Sequence, residues 1–452
     1  MSSELPVCVL KSQPVLICPE KPTPKCSLYL SNIDNLDYLR YHFELLWIYR
    51  KSIPIEDLKS SLSKVLFHYY PLAGRVRICA DDEDRLEVDC NGKGALLAEG
   101  FMEFSADEFL KDNTWLNPAW KDKLLFKVDA QSGLDTPPLV IQATYLSCRG
   151  MLMCIAMHHC MADGTGASKF LHDWAYIHTN PNMDLPIPPI HYREMLKPRN
   201  PLQVPFDHPK FTGITQDFDI PTYLQSQTLA PSCFTITPSH IQHLKQLCEP
   251  SLKCTTFEAL AAHVWRCYVK ALNLPPSLIV QLFIPTSMKT NIEPNLPKGY
   301  YGNGVVLACA GTTVKELVTA KTNHIVELIQ NAIRRVRCND YVRSLIDIIE
   351  EKKVPPLHIS QLSISDWRML GFHELDFGEG KPLHISQLAS EAMCKFLPFI
   401  GDSNAAKVLV WVPKNIVHKF EYYMMNDFIQ EYVKLISVGG LKFEGKKIRS
   451  KV

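Results

Sequence analysis

The sequence predicts an α/β protein of two domains, each combining sheet and helix, and three observations lead there. The chain has 452 residues, more than one compact core usually fills, so two cores of roughly 200 residues each are expected, with a cleft between them. Strand-like runs and amphipathic helical runs alternate in both halves. Near the middle, LPIPPIHYREMLKPRNPLQVPFDHP holds Pro186, Pro188, Pro189, Pro198, Pro201, Pro205 and Pro209, too many for a regular element, and reads as the interdomain connection. The expected division is therefore 1–184, a linker over 185–210, and 211–452.

Each element has a local reason. IEDLKSSLSKVLFHYYPLAGR puts Leu58, Leu62, Val65 and Leu66 on one helical face and stops at Pro71. RLEVDCNGKGALLAEG sets Asn91-Gly92 between two short alternating runs, the pattern of a tight hairpin. MLMCIAM, residues 151–157, is a short apolar run that predicts a buried strand, and Phe170, Leu171, Trp174 and Ile177 after it are spaced as a helix. Beyond the linker, CFTI predicts a strand, and Thr237 caps a helix with Pro238 at its first position, so the second domain is expected to open strand then helix. A capping box from Thr255 to Glu258 starts TTFEALAAHVWRCYVKAL, whose Phe257, Leu260, Ala261, Val264, Trp265 and Tyr268 predict a core-facing side. The string PLHISQL occurs at 356–362 and again at 382–388 with no longer repeat around it, which excludes a solenoid and carries no functional weight.

Composition narrows the function. The chain is 46% hydrophobic and 21% charged with a formal net charge of +1, which leaves no overall basic field for nucleic acid or a membrane surface. MSSELPVCVLKSQP lacks the features of a secretory signal, and no apolar run approaches the roughly 18 to 20 residues of a membrane span, so a cytoplasmic protein is expected. Fifteen cysteines without CxxC pairs fit reduced core thiols better than a disulfide framework or zinc. Nothing calls for an oligomer, a metal or a permanently bound cofactor, and a monomer is expected.

The stretch MHHCMADGTG, 157–166, concentrates the chemistry. His159 falls at the end of the expected strand. Gly164 and Gly166 make the following backbone a turn, so His159 and Asp163 do not form an i, i+4 pair on one helix face. Zinc is disfavoured, because HExxH is absent and the adjacent His158 and His159 would point apart in a strand. On residues alone, a hydrogen-bonded core histidine remains an alternative to a catalytic one.

His159 to Gly164 read HxxxDG. Together with Tyr70-Pro71-Leu72-Ala73-Gly74-Arg75, Tyr300-Tyr301-Gly302-Asn303 and Asp376-Phe377-Gly378-Glu379-Gly380, in that order along the chain, they resemble the plant BAHD family of acyl-CoA-dependent acyltransferases. The look is closest to members that pass hydroxycinnamoyl groups to fatty alcohols and omega-hydroxy acids. A kinase reading of Asp376-Phe377-Gly378 fails because neither an HRD loop nor a glycine-rich phosphate loop accompanies it. The resemblance implies a chloramphenicol acetyltransferase-like pair of domains joined by a crossover loop, with a channel between them. It implies that His159 is the general base, taking the acceptor's proton as it attacks the thioester, and that no acyl-enzyme forms, so Cys160 is no nucleophile. Trp367 and Ser365 match the family's donors to the developing oxyanion, a core tryptophan being the alternative for Trp367. Asp163 and Gly164, and likewise Asp376 and Gly378, are implied to be structural.

Acyl-CoA is the implied donor, a substrate and not a resident cofactor, with Thr255 and Thr256 as candidates to meet it at a helix start. An alcohol is the expected acceptor and an aromatic acyl group the expected cargo. Acetyl or benzoyl transfer to a specialised metabolite, N-acylation of an amine, a silent ligand-binding member and a repurposed lyase-type enzyme are the alternatives. Two positions depart from the family pattern. Glu379 replaces the usual tryptophan of DFGWG, and the arginine that usually pairs with the HxxxD aspartate is missing, leaving Lys289 or another arginine to take its place.

Overall fold

The computed structural model describes residues 5–128, 135–208, 218–352, 362–388 and 393–438. The first half supplies β1 (Cys8–Leu10), β2 (Val15–Ile17), β3 (Ser27–Tyr29), β4 (His42–Tyr49), β5 (Arg75–Cys79), β6 (Asp82–Asp89), β7 (Ala95–Met102), β8 (Leu139–Leu146) and β9 (Met151–His158). The second supplies β10 (Leu229–Ile236), β11 (Ile279–Ser287), β12 (Val305–Thr313), β13 (Leu362–Asp366), β14 (His384–Gln387), β15 (Met393–Pro398) and β16 (Ala406–Pro413). A large sheet runs β1-β7-β8-β9-β4-β14, with β2 also on β7; a second runs β10-β16-β15-β13-β11-β12; a small one runs β3-β6-β5.

The apolar run 151–157 does form a strand, and its alternation explains the layers. Met151, Met153, Ile155 and Met157 face one core with Leu45 and Trp47 of β4, whereas Leu152, Cys154 and Ala156 face another with Leu46 and Ile48. A strand buried on both faces reads as continuously hydrophobic, and this one does. On the first face lie the helices Ile55–His68 and Gly164–Thr179. The second face meets Phe109, Trp115 and Trp120 as well as Leu397 of β15 and Leu409 of β16, so the two large sheets share apolar contacts. The core of the second half gathers around the helix Thr256–Leu272, in which Leu260, Ala261, Val264, Trp265 and Tyr268 are buried.

Several expectations change. Asn91-Gly92 is no hairpin: β6 pairs with β3 and β5, while β7 leaves for the large sheet to pair with β1, β2 and β8. The hairpin instead joins β5 to β6, whose Cys79 and Asp82 are partners. Burial decides this, since DEDRLEVD buries only Leu86 and Val88 and suits a small surface sheet, whereas ALLAEGFM is mostly buried. The second half opens with a short helix, Ile220–Gln225, before β10. Within the proline-rich stretch one 3-10 turn forms, Arg193–Leu196, and Ile190 bridges to Tyr300. The segment from Phe372 to Ile385, late in sequence, is built into the first half: β14 pairs antiparallel with β4, Trp47 Nε1 donates to Phe372 O at 2.9 Å, and Tyr49 Oη donates to Leu375 O at 3.1 Å. The first PLHISQL copy lies, apart from Leu362, outside the described residues; the second contains β14. Among the described residues, no helix is long and apolar enough to cross a membrane.

The two halves also approach closely where the Gly164–Thr179 helix begins. A Cβ on Gly166 would overlap the carbonyl oxygen of Tyr301. Gly166→Ala is therefore expected to lower stability by about 3 kcal/mol or more, because backbone cannot yield as a side chain can. Gly164→Ala, whose Cβ would meet only the Leu370 side chain, should cost clearly less; urea denaturation of the two variants checks this.

Candidate active site

A cavity of ≈ 920 Å³ lies between the halves. Tyr41, Phe43, Leu45 and His159 border it from the first half, and Ile284, Val305, Leu307, Ser363, Ser365, Trp367 and Lys395 from the second. The residues predicted to act on the thioester and on the acceptor proton, His159, Ser365 and Trp367, thus share one wall-to-wall space.

His159 follows the last residue of β9, and its N–H donates to Tyr41 O at 2.8 Å. Its imidazole packs against Phe43 and Tyr41, with ring centroids 5.0 and 5.6 Å away. The two adjacent histidines separate as strand geometry requires. His158 is buried, and its Nδ1 accepts from Cys160 N at 3.3 Å. Burial, with the neighbouring rings of His42 and His159, pushes its pKa down to about 3, so it stays neutral and structural. Cys160 is likewise buried in the first core, and burial pushes its thiol well up, so no thiolate is available there.

Asp163 caps the helix that follows. Its Oδ1 accepts from Gly166 N at 2.7 Å and from Lys289 Nζ at 3.2 Å, and its Oδ2 accepts from Gly304 N at 2.9 Å. Although the residue borders the cavity, its carboxylate is fully engaged in joining the halves. Lys289 is thus the cation that pairs with Asp163, touching one oxygen only.

Sequence reasoning missed a second ion pair beside it. Arg193, in the proline-rich stretch, donates Nη1 to Asp34 Oδ1 at 3.1 Å, and both side chains are 0% exposed. Burial alone would pull the guanidinium down, but Asp34 and the Tyr300 and Tyr301 rings hold its pKa above the ordinary value. Its Nη2 donates to Met161 O at 2.7 Å. Asn303 Nδ2 completes the cluster, donating to Asp34 Oδ1 at 2.9 Å and to His159 O at 2.8 Å. A Cβ on Gly302 would occupy the place of the Arg193 guanidinium, which explains glycine there. The signal available in the sequence was an aspartate in an otherwise uncharged run, LYLSNID, and an arginine amid prolines, neither informative alone.

Other expected residues fall elsewhere. Thr255 and Thr256 do not border the cavity; the Thr255 hydroxyl is used in its capping box, accepting from Glu258 N at 3.2 Å. Phe257 packs against the second-half core as expected, its ring centroid 5.7 Å from that of Phe396, and is half-buried because it also borders the cavity. Asp376 Oδ1 accepts from Gly378 N at 2.7 Å and Gly380 N at 2.9 Å, closing a loop away from the cavity wall, with Gly378 at a φ of 96°. Phe377 anchors that loop edge-on to Trp174 at 5.0 Å. Glu379 makes an exposed pair with Lys51 at 3.3 Å, the kind of contact that contributes little. Among the described residues, no group of three acidic, histidine or cysteine side chains is placed to hold a metal.

The paired sheet-and-helix halves around a shared cavity define a chloramphenicol acetyltransferase-like fold. It matches vinorine synthase with a TM-score of 0.72 at 18% identity, over 93% of this chain and 98% of that one. The model of the Transferase family matches residues 7–427, and the chain belongs to that family, the BAHD acyltransferases. It is therefore an acyltransferase. Among its relatives are the fatty alcohol:caffeoyl-CoA acyltransferase of Arabidopsis thaliana, 32% identical over 94% of this chain and 100% of the relative. The omega-hydroxypalmitate O-feruloyl transferase of the same plant is 33% identical over 91% of this chain and 92% of the relative.

Two results follow from the ion pairs. Arg193→Met leaves Asp34 buried beside an apolar side chain and is expected to cost about 3–5 kcal/mol in denaturant unfolding, whereas removing both charges together should cost less than that. Lys289→Met should be milder than Asp163→Ala in the same measurement, because Asp163 keeps its two backbone donors when the lysine is lost.

Proposed function

We propose that the protein moves an aromatic, hydroxycinnamoyl-type acyl group from CoA directly to an alcohol. The observation that carries this reading is the convergence of His159, Ser365 and Trp367 on one cavity in a chain of this family. The relatives named for caffeoyl and feruloyl transfer support the aromatic donor, and their names support a long-chain alcohol or hydroxy acid as acceptor.

In this reading the acceptor hydroxyl lies against the His159 imidazole, which takes its proton as the oxygen attacks the thioester carbon. The charge that appears on the carbonyl oxygen is met by the Trp367 indole N–H and the Ser365 hydroxyl. The tetrahedral species then collapses, the C–S bond breaks, and CoA leaves as a thiolate that recovers the proton from the imidazolium. No protein nucleophile is acylated, which agrees with the buried, high-pKa Cys160. Asp163, with Gly164 and the Asp376–Gly378 loop, holds the scaffold. We take the enzyme to work as a cytoplasmic monomer whose halves, 1–184 and 211–452, meet across the 185–210 crossover.

The test is CoA thiol release from hydroxycinnamoyl, benzoyl and acetyl thioesters crossed with aromatic alcohols, long-chain alcohols and amines. Release that requires an alcohol and is fastest with a hydroxycinnamoyl donor is expected, and His159→Ala should slow it by about 10²–10⁴-fold. Rapid release by a folded His159→Ala protein, or release with amines alone, would overturn the reading. Trp367→Phe is expected to lower kcat by about a hundredfold and to leave KM for the thioester nearly unchanged.

A further inference from the structure

We propose that Lys395 is a positioning residue for the acyl transfer, a cation placed behind the two oxyanion donors so that they stabilise negative charge more strongly. The inference rests on the reading of Ser365 and Trp367 given above. In the pairing of β13 with β15, Ser365 lies opposite Lys395. Alternation along these strands puts Ser363, Ser365, Met393 and Lys395 on one face, and all four border the cavity. The Lys395 ammonium sits over the Trp367 ring, 4.7 Å from its centroid. One side chain is thus adjacent in register to the first proposed donor and stacked on the second.

The side chain is only 4% exposed. A lysine this buried is uncommon, because the ammonium gives up strong hydration. The aromatic face of Trp367 compensates part of that cost. Its position gives the cation one effect on the reaction. Held over the indole, it draws electron density from the ring and makes the N–H a better donor to the charge forming on the thioester oxygen. The stronger donor matters less to the uncharged thioester, so the contribution belongs to kcat and not to substrate affinity.

Lys395→Met keeps most of the stem and removes the charge; Lys395→Arg keeps the charge. With the best donor and acceptor pair of the wild-type protein, Lys395→Met is expected to lower kcat about tenfold or more with KM for acyl-CoA changed by less than about threefold. Lys395→Arg should recover a substantial part of that loss. In the Trp367→Phe background, Lys395→Met should slow the reaction far less than it does beside the native tryptophan, since the cation then has no indole to polarise. A merely structural lysine would give equal losses in both backgrounds and no recovery by arginine, and either result overturns the proposal. So does a rise in KM at unchanged kcat, which would make Lys395 a binding residue. If Lys395→Met fails to fold, Lys395→Gln and Lys395→Arg carry the same comparison. Absence of acyl transfer by the wild-type protein would instead refute the reading on which this inference rests.

Discussion

The arrangement turns on one buried ion pair, Arg193 with Asp34, and the amide of Asn303 that joins it. Two opposite charges removed from water are costly unless their hydrogen-bonding capacity is met inside. Here it is met largely by the parts of the chain that need placing. Arg193 comes from the crossover, Asp34 from the first half and Asn303 from the second; Ser31 holds the other oxygen of Asp34 through its N–H and hydroxyl, and Arg193 and Asn303 also donate to the carbonyls of Met161 and His159. The backbone that carries the imidazole is therefore fixed by residues distant from it in sequence. Asp163 repeats the device one turn further on, collecting Gly166, Gly304 and Lys289.

Around these polar anchors the apolar layers leave a gap instead of closing. The central strands β4 and β9 of the first large sheet are buried on both faces, and the second sheet reaches it through Leu397 and Leu409. Where the sheets diverge, Phe43 and Leu45 on one side face Ser363, Ser365 and Lys395 on the other across the cavity. The segment that leaves β13 passes Trp367 and returns as β14 on the edge of the first sheet. The second half of the chain thus contributes a strand to the first, and the cavity floor is shared covalently as well as by packing.

Elements with a strong local cause were legible in the sequence. The helix Ile55–His68, the apolar strand ending at His158, the N-cap at Thr237 and the capping box at Thr255 rest on spacing and caps that act within a few residues. What was not legible depends on contacts between distant segments. Asn91-Gly92 has the chemistry of a hairpin turn, but sheet membership is decided by which strands are buried on both faces, and that sends β7 away from β6. Phe257 makes the core contact its helical phase predicts, but that it also borders the cavity depends on distant segments. Lys289 was one of several possible partners of Asp163 until the fold brought them to 3.2 Å. Arg193 and Lys395 carry no informative local signature; only the fold shows that both are buried. Of the expected site, His159, Ser365 and Trp367 come together, while Thr255 and Thr256 stay outside.

The central claim is that the buried cluster works by holding His159 toward the cavity, and a double-mutant cycle between Asn303→Ala and His159→Ala tests it most directly. If the amide of Asn303 acts through the histidine, Asn303→Ala should lower kcat by about tenfold in the native background, as expected for losing a buried hydrogen bond to the loop that carries the proposed base, and by almost nothing once His159 is gone. Equal losses in both backgrounds would show that Asn303 supports the protein generally and does not act by positioning the proposed base, His159.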